Sequence, residues 1–226
     1  QPPVDVKALL EAEPPEAVPD VDSAADGRVA VWRVADTARV RCETLARQAP
    51  EDAPSEDAPT QPPARSREEL ETFFVLACKT TGKSAARDEL VQLAILKFRR
   101  FSPQALLCTS FRPEKGLTKF AHESGVTDSM VESAPAIGQA LASIDAFLDG
   151  GAPLVLFQPE QLAFLAAAGS RTLDGRTIYD VKALTGQKTG QKVQTLDDAF
   201  GALFSFTPEL GGAGSEALAC GLVFCE

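Results

Sequence analysis

The chain has 226 residues, of which 44% are hydrophobic and 24% charged, with a formal net charge of −10. That is enough for one packed domain of about 150 residues plus an additional segment. No run of 18 apolar residues is available to span a membrane, and no basic stretch followed by an apolar one marks a signal peptide. The acidic balance argues against a protein that wraps duplex DNA through a broad basic face, although a local basic groove remains compatible with it. Five cysteines, Cys42, Cys78, Cys108, Cys220 and Cys225, form no CxxC pair, and His122 is the only histidine. Zinc is therefore disfavoured, no cofactor is expected, and the cysteines read as free thiols of an intracellular, reducing compartment, cytoplasm or organelle matrix.

Residues 1–70 differ from the rest. They hold ten of the 16 prolines, fifteen acidic and eight basic residues, a net of −7. Stretches such as Glu13-Pro14-Pro15-Glu16 and Pro50 to Pro63 cannot build a core and read as extended linkers. Between them lies an island at 28–48. There Val29, Val31, Trp32 and Val34 predict a short strand, and Asp36 is placed to cap a helix reaching Arg47. This island is too small to fold alone and is expected to dock on the main domain or on another protein.

From residue 71 to 226 the pattern becomes regular. Phe73 to Ala77, Leu90 to Phe98 and Ala105 to Phe111 predict three strands in an antiparallel meander. Helices are expected over Leu117 to Ser124, Ser129 to Ser133 and Ala136 to Leu148, the last ended by Gly150-Gly151. Leu154 to Phe157 predicts a buried strand, Glu160 to Ala168 a helix, and Thr177 to Tyr179 a short strand. Helices over Leu196 to Phe206 and Glu216 to Phe224 close the chain. The fold class is thus α/β, a mixed five-stranded sheet flanked by helices behind a Pro-rich extension. Lys182, Lys188 and Lys192 mark a glycine-interrupted basic loop. Arg99, Arg100, Arg112, Lys115 and Lys119 suggest a second positive patch. Either set could contact nucleic acid, though such runs are more often solvated faces.

Three stretches of 73–224 resemble the DnaQ-like (DEDD) 3′–5′ exonucleases, which have a ribonuclease-H-like fold. The first is the strand running into Thr80-Thr81-Gly82. The second runs from Gly125-Val126-Thr127-Asp128 through Ala134-Pro135 and Ala146-Phe147-Leu148 to Ala152-Pro153-Leu154-Val155. The third is Thr195-Leu196-Asp197 followed by Glu216-Ala217-Leu218-Ala219. The resemblance implies four carboxylates that hold two divalent cations and a histidine that activates water. Position by position, these fall on Ala77, Lys79, Gln161 (with one residue of slack), Ser215 and Cys220. None of the five keeps the family's residue, and hard cations need oxygen ligands, preferably charged. The expectation is a catalytically inactive domain that serves as a structural or binding subunit alongside protein partners. The alternatives are a nucleic-acid-binding protein that keeps the groove without cleaving, and an active nuclease with relocated ligands such as Glu160, Asp197 or Asp198.

Lys79 has two readings: a replacement cation holding a phosphate or an acidic side chain, or a solvated lysine at a strand end. Cys78 and Cys220 are expected to approach one another if the family geometry persists. Ala77 to Ser84 also fits the loose form of a P-loop, A-x-x-x-x-G-K-S, but lacks the first glycine, and the strand at Leu154 runs into Gln158-Pro159 rather than an aspartate. No nucleophile–base pair can be assembled around His122, so a serine or cysteine hydrolase is poorly supported.

Overall fold

The computed structural model describes residues 30–33, 70–148, 150–206 and 208–226. The expected helix after Asp36 and the linkers lie outside the described residues. Among the described residues, six strands form one mixed sheet in the order β1-β4-β3-β2-β5-β6. The strands are β1 (Ala30–Arg33), β2 (Thr72–Thr80), β3 (Leu90–Arg99), β4 (Ser102–Ser110), β5 (Leu154–Leu156) and β6 (Ile178–Asp180). β2, β3 and β4 form the meander, and β5 and β6 add to the β2 edge in parallel. Five strands thus come from residues 71–226, as expected. The short strand expected in the island lies antiparallel along β4, with Ala30 opposite Cys108 and Arg33 opposite Ala105.

β2 is central and buried on both faces, so it reads as a near-continuous apolar run rather than a clean alternation. Its side chains nonetheless divide by parity. Phe73, Val75 and Ala77 join a core formed with α6 (Leu196–Leu203) and α7 (Ala213–Cys225). Phe74, Leu76 and Cys78 join a second core on the other face, closed by Ala140 and Ile144 of α3 (Ile137–Phe147) and by Phe164 and Leu165 of α4 (Leu162–Ala167). A satellite cluster seats α1 (Lys119–Glu123) and α2 (Asp128–Val131) on Val91 through Ala121, Val126 and Val131. Val91 is the residue skipped where the β2–β3 register shifts, Lys79 facing Gln92 and Thr80 facing Leu90.

Two elements depart from expectation. Lys182 to Lys192 is not a loop: α5 (Val181–Thr189) occupies most of it. Its signals are Asp180, whose carboxylate accepts the Ala183 N–H, and Gly190 at φ 66, the left-handed residue that ends a helix. Gly186, Thr185 and Thr189 are weak helix formers and hid the pattern. β4 begins at Ser102, three residues early, because the β3–β4 turn is built from Arg100 and Phe101, both at positive φ, without the glycine or asparagine that normally announces such a turn.

α7 crosses the sheet at close range. A Cβ on Gly221 would lie 2.6 Å from the Phe98 ring. Phe98 is fully buried and stacked on Phe73 at 4.9 Å, so the ring has nowhere to move. Gly221→Ala should therefore destabilise the protein by about 1–3 kcal/mol, and Gly221→Val by more, in urea unfolding followed by circular dichroism. An unchanged midpoint for Gly221→Val would show that this contact is loose.

Candidate functional site

The carboxyl ends of β2 and β5, facing the first turns of α6 and α7, enclose a cavity of about 450 Å³. Open α/β sheets characteristically place ligands at such strand ends. Ala77, Lys79, Gln161 and Cys220, four of the five positions singled out by the resemblance, line it together. Ser215 does not line the cavity: its hydroxyl donates to the Gly212 carbonyl at 2.9 Å and accepts the Gly212 N–H at 3.2 Å, tying off the start of α7.

Lys79 is 9% exposed and is not a solvated strand-end lysine. Its Nζ donates to Oε1 of Glu216 at 2.5 Å. The carboxylate comes from α7, one turn before Cys220, so the ion pair bridges β2 and α7 across the cavity. Glu216 is the residue that motif reasoning overlooked. Its i−4 spacing from Cys220 on one helix face was the available signal. The pocket is consequently not devoid of carboxylates, as the five substitutions suggested: Glu216, Glu123 and Asp197 all line it. Yet no three Asp, Glu, His or Cys side chains among the described residues stand close enough together to hold a metal ion. An ammonium fixed beside Glu216 also repels a divalent cation, by about 4 kcal/mol per unit of charge at 4 Å and an effective dielectric of 20.

Gln161 has a specific structural task. β2 pairs with β5 only as far as Leu76 opposite Leu156, which leaves the Cys78 backbone without a strand partner on that side. The Gln161 amide accepts the Cys78 N–H at 3.2 Å and donates to the Cys78 carbonyl at 3.3 Å and to Gln158 Oε1 at 2.8 Å. A carboxylate at this position would lack the donors, so the carboxamide suits the clasp.

The remaining candidates separate. Lys182, Lys188 and Lys192 line no part of the cavity, and Lys188 Nζ donates to the Glu226 carbonyl. Arg99 and Arg100 sit at the β3–β4 turn beside Glu71, at the opposite end of the strands from Arg112, Lys115 and Lys119, so the expected patch is two. The second group includes an exposed aromatic ring: Phe120 on α1 is 38% exposed and carries the Lys83 ammonium 6.0 Å from its centroid. Thr80 to Glu89 is no phosphate loop. It leads into a strand instead of a helix, and the Ser84 N–H is taken by the Asp88 carboxylate at 2.9 Å. His122 is exposed, with Nδ1 at 3.1 Å from the Val126 carbonyl. Asp198 caps α6 by accepting the N–H groups of Thr195 and Gln194, bonds that hold its carboxyl below the usual range.

Cys78 and Cys220 do not form a pair. Being one residue from both Ala77 and Lys79, Cys78 points to the other face of β2 and packs with α3 and α4, whereas Cys220, itself on α7, joins the core on the opposite face with α6. Both are free thiols. Burial, and then the Glu216 carboxylate, push Cys78 from its ordinary 9.0 up to about 12; burial, Glu216 and Asp180 raise Cys220 further.

Breaking the ion pair should be costly from either side. Glu216→Gln leaves the buried ammonium uncompensated and should lose about 3 kcal/mol in urea unfolding; Lys79→Met, which leaves the better-solvated carboxylate, should lose less. The double variant Lys79→Met/Glu216→Leu should recover much of the loss, and additive losses would mean that the two charges do not interact. The thiols give a second check. Cys78 and Cys220 should resist a thiol reagent at pH 8 in the folded protein and react fully in denaturant. The stability that Cys78 contributes through its raised pKa is intact below pH 9.0 and declines as pH climbs from there towards about 12, because only the unfolded chain ionises readily in that window. Rapid labelling of both in the native state would contradict the packing.

No known family matches the sequence as a pattern, and no curated protein matches it. Solved structures do match by shape. One, a 3′-exonuclease solved for 3′-end specific recognition of a histone mRNA stem-loop, aligns over 70% of this chain and 63% of its own, with a TM-score of 0.58 and 11% identity. A full-length 3′-exonuclease aligns over 69% of this chain and 80% of its own, with TM-score 0.58 and 11% identity. An apo Exonuclease I aligns over 69% and 41%, with TM-score 0.51 and 11% identity. The chain thus spans less than two thirds of the first and third of these proteins. At this identity the likeness is one of architecture: the described part of the chain has the exonuclease-type, ribonuclease-H-like fold.

Proposed function

We propose that this chain is an exonuclease-like domain without exonuclease activity, serving as a binding or structural subunit of a larger assembly. The observation that carries this reading is the Lys79–Glu216 ion pair at the carboxyl end of β2. Two-metal phosphoryl chemistry needs a cage of carboxylates around paired cations, and the residues here offer a fixed ammonium, an alanine, a clasped amide and a buried thiol instead. Glu123 and Asp197 sit at the ends of separate helices, α1 and α6, and do not group with Glu216 into a three-ligand site. The acidic, Pro-rich first 70 residues support the subunit idea, since segments of that composition cannot build a core and commonly engage neighbours.

A second reading, a nucleic-acid-binding domain that does not cleave, is favoured by one observation. Phe120 lies exposed under Lys83, with Lys119 and Lys115 near it in sequence, and aromatic rings among cations suit an unpaired strand. Among the described residues no helix is long and apolar enough to cross a membrane.

Incubation of the purified chain with labelled single-stranded DNA and RNA, in magnesium and in manganese, should give no shortening above a mock preparation. Processive loss of 3′ nucleotides, abolished by Glu216→Gln, would refute the non-catalytic reading. In parallel, native mass measurement on material from its own extract should find the chain bound to protein, and a salt-sensitive shift with oligonucleotide alone would favour the second reading.

A further inference from the structure

The charge of the cavity points to the kind of group that enters it; this step rests on the non-catalytic reading and concerns the same site. One cation, Lys79, and three carboxylates, Glu123, Asp197 and Glu216, line it. Lys79 and Glu216 neutralise each other at 2.5 Å. Glu123 and Asp197, both exposed, therefore set the sign at the mouth; Lys119, 3.5 Å from Glu123, offsets part of it, and Asp197 leaves the mouth net negative. Carboxylates thus outnumber cations in the lining, and over low-dielectric walls that net negative balance disfavours a phosphate and attracts a cation.

The remainder of the cavity suits a cation on an aliphatic stem. Phe157, Leu196 and Leu210 supply an apolar lining, and Gln158 and Gln194 stand beside them. Lysine and arginine bury their methylene stems on such surfaces while their charged heads meet carboxylates. A free volume near 450 Å³ accommodates one such side chain with its backbone. We infer that the cavity receives a basic side chain from a protein partner, its stem on Phe157, Leu196 and Leu210 and its charge facing Glu123 and Asp197. The net charge of −10 on the whole chain favours the same class of partner, a protein with a basic segment.

The test is an NMR titration of the isotope-labelled full chain with three probes: a capped dodecapeptide carrying three arginines among glycine and serine, the same peptide with glutamine for arginine, and a single-stranded hexathymidylate. The arginine peptide should shift the backbone amides of Ala77, Leu196 and Cys220 at low salt. Its affinity should fall roughly fivefold in Glu123→Gln/Asp197→Asn, and it should weaken as salt is raised. The glutamine peptide and the oligonucleotide should leave those amides unmoved. The inference is overturned if the arginine peptide does not perturb the cavity, if the double variant binds it as well as the wild type does, or if the oligonucleotide shifts the same amides. None of those results involves hydrolysis. Release of thymidylate from the oligonucleotide in a parallel sample with magnesium would instead remove the non-catalytic reading beneath it.

Discussion

β2 is packed from both sides, and the rest of the molecule follows from that constraint. Its odd-numbered residues from Phe73 meet α6 and α7, and its even-numbered residues meet α3 and α4. A strand pleats with a period of two, so neighbours in sequence are separated by the thickness of the sheet. The alternation places Ala77 and Lys79 in the same cavity and sends Cys78, between them, into the opposite core. The closeness of α7 reinforces the arrangement: Gly221 lets the helix rest against Phe98, which brings Glu216 and Cys220 over the end of β2.

The ion pair at that end links two elements that a pair of metal ions would link in a nuclease of this architecture. A cation held by carboxylates and an ammonium held by one carboxylate both neutralise charge at the meeting of β2 and α7. They differ in consequence. The ammonium is covalently part of the chain, cannot be exchanged or chelated, and offers no vacant coordination position to a water or phosphate oxygen. Burying the pair carries a desolvation penalty that its mutual attraction must offset, so its value lies more in fixing the position of α7 than in net stability. The Gln161 clasp on Cys78 has a comparable effect on the other side of β2, closing backbone groups that the short β5 leaves unpaired.

Charge is unevenly distributed around the cavity. Lys83 lies over the exposed Phe120 ring, whereas carboxylates outnumber cations in the cavity lining. The distinction arises from where the chain returns to the sheet. Lys115 and Lys119 precede or occupy α1, which ends in Glu123 at the cavity, and the acidic start of α6 serves to cap that helix and also faces the mouth. Local requirements for helix capping thus contribute charge to the site.

Much of this was legible in the residues alone. The strand runs at Phe73, Leu90 and Leu154, the helix stop at Gly150-Gly151 and the edge strand around Trp32 follow from periodicity and turn residues, because these are local signals repeated along the chain, and the exonuclease-type fold was implied by the resemblance of the quoted motifs. Helix α5 and the start of β4 were not legible: weak helix formers mask Asp180 and Gly190, and Arg100 and Phe101 turn the chain without glycine. The substitutions at Ala77, Lys79 and Cys220 could be listed by position from the sequence, and so could the question of what Lys79 holds. The answer required tertiary structure. Glu216 lies 137 residues from Lys79 along the chain, and only the packing of α7 on the sheet brings the two charges to 2.5 Å. The same is true of Cys78 and Cys220, which motif positions drew together and the pleat of β2 holds apart.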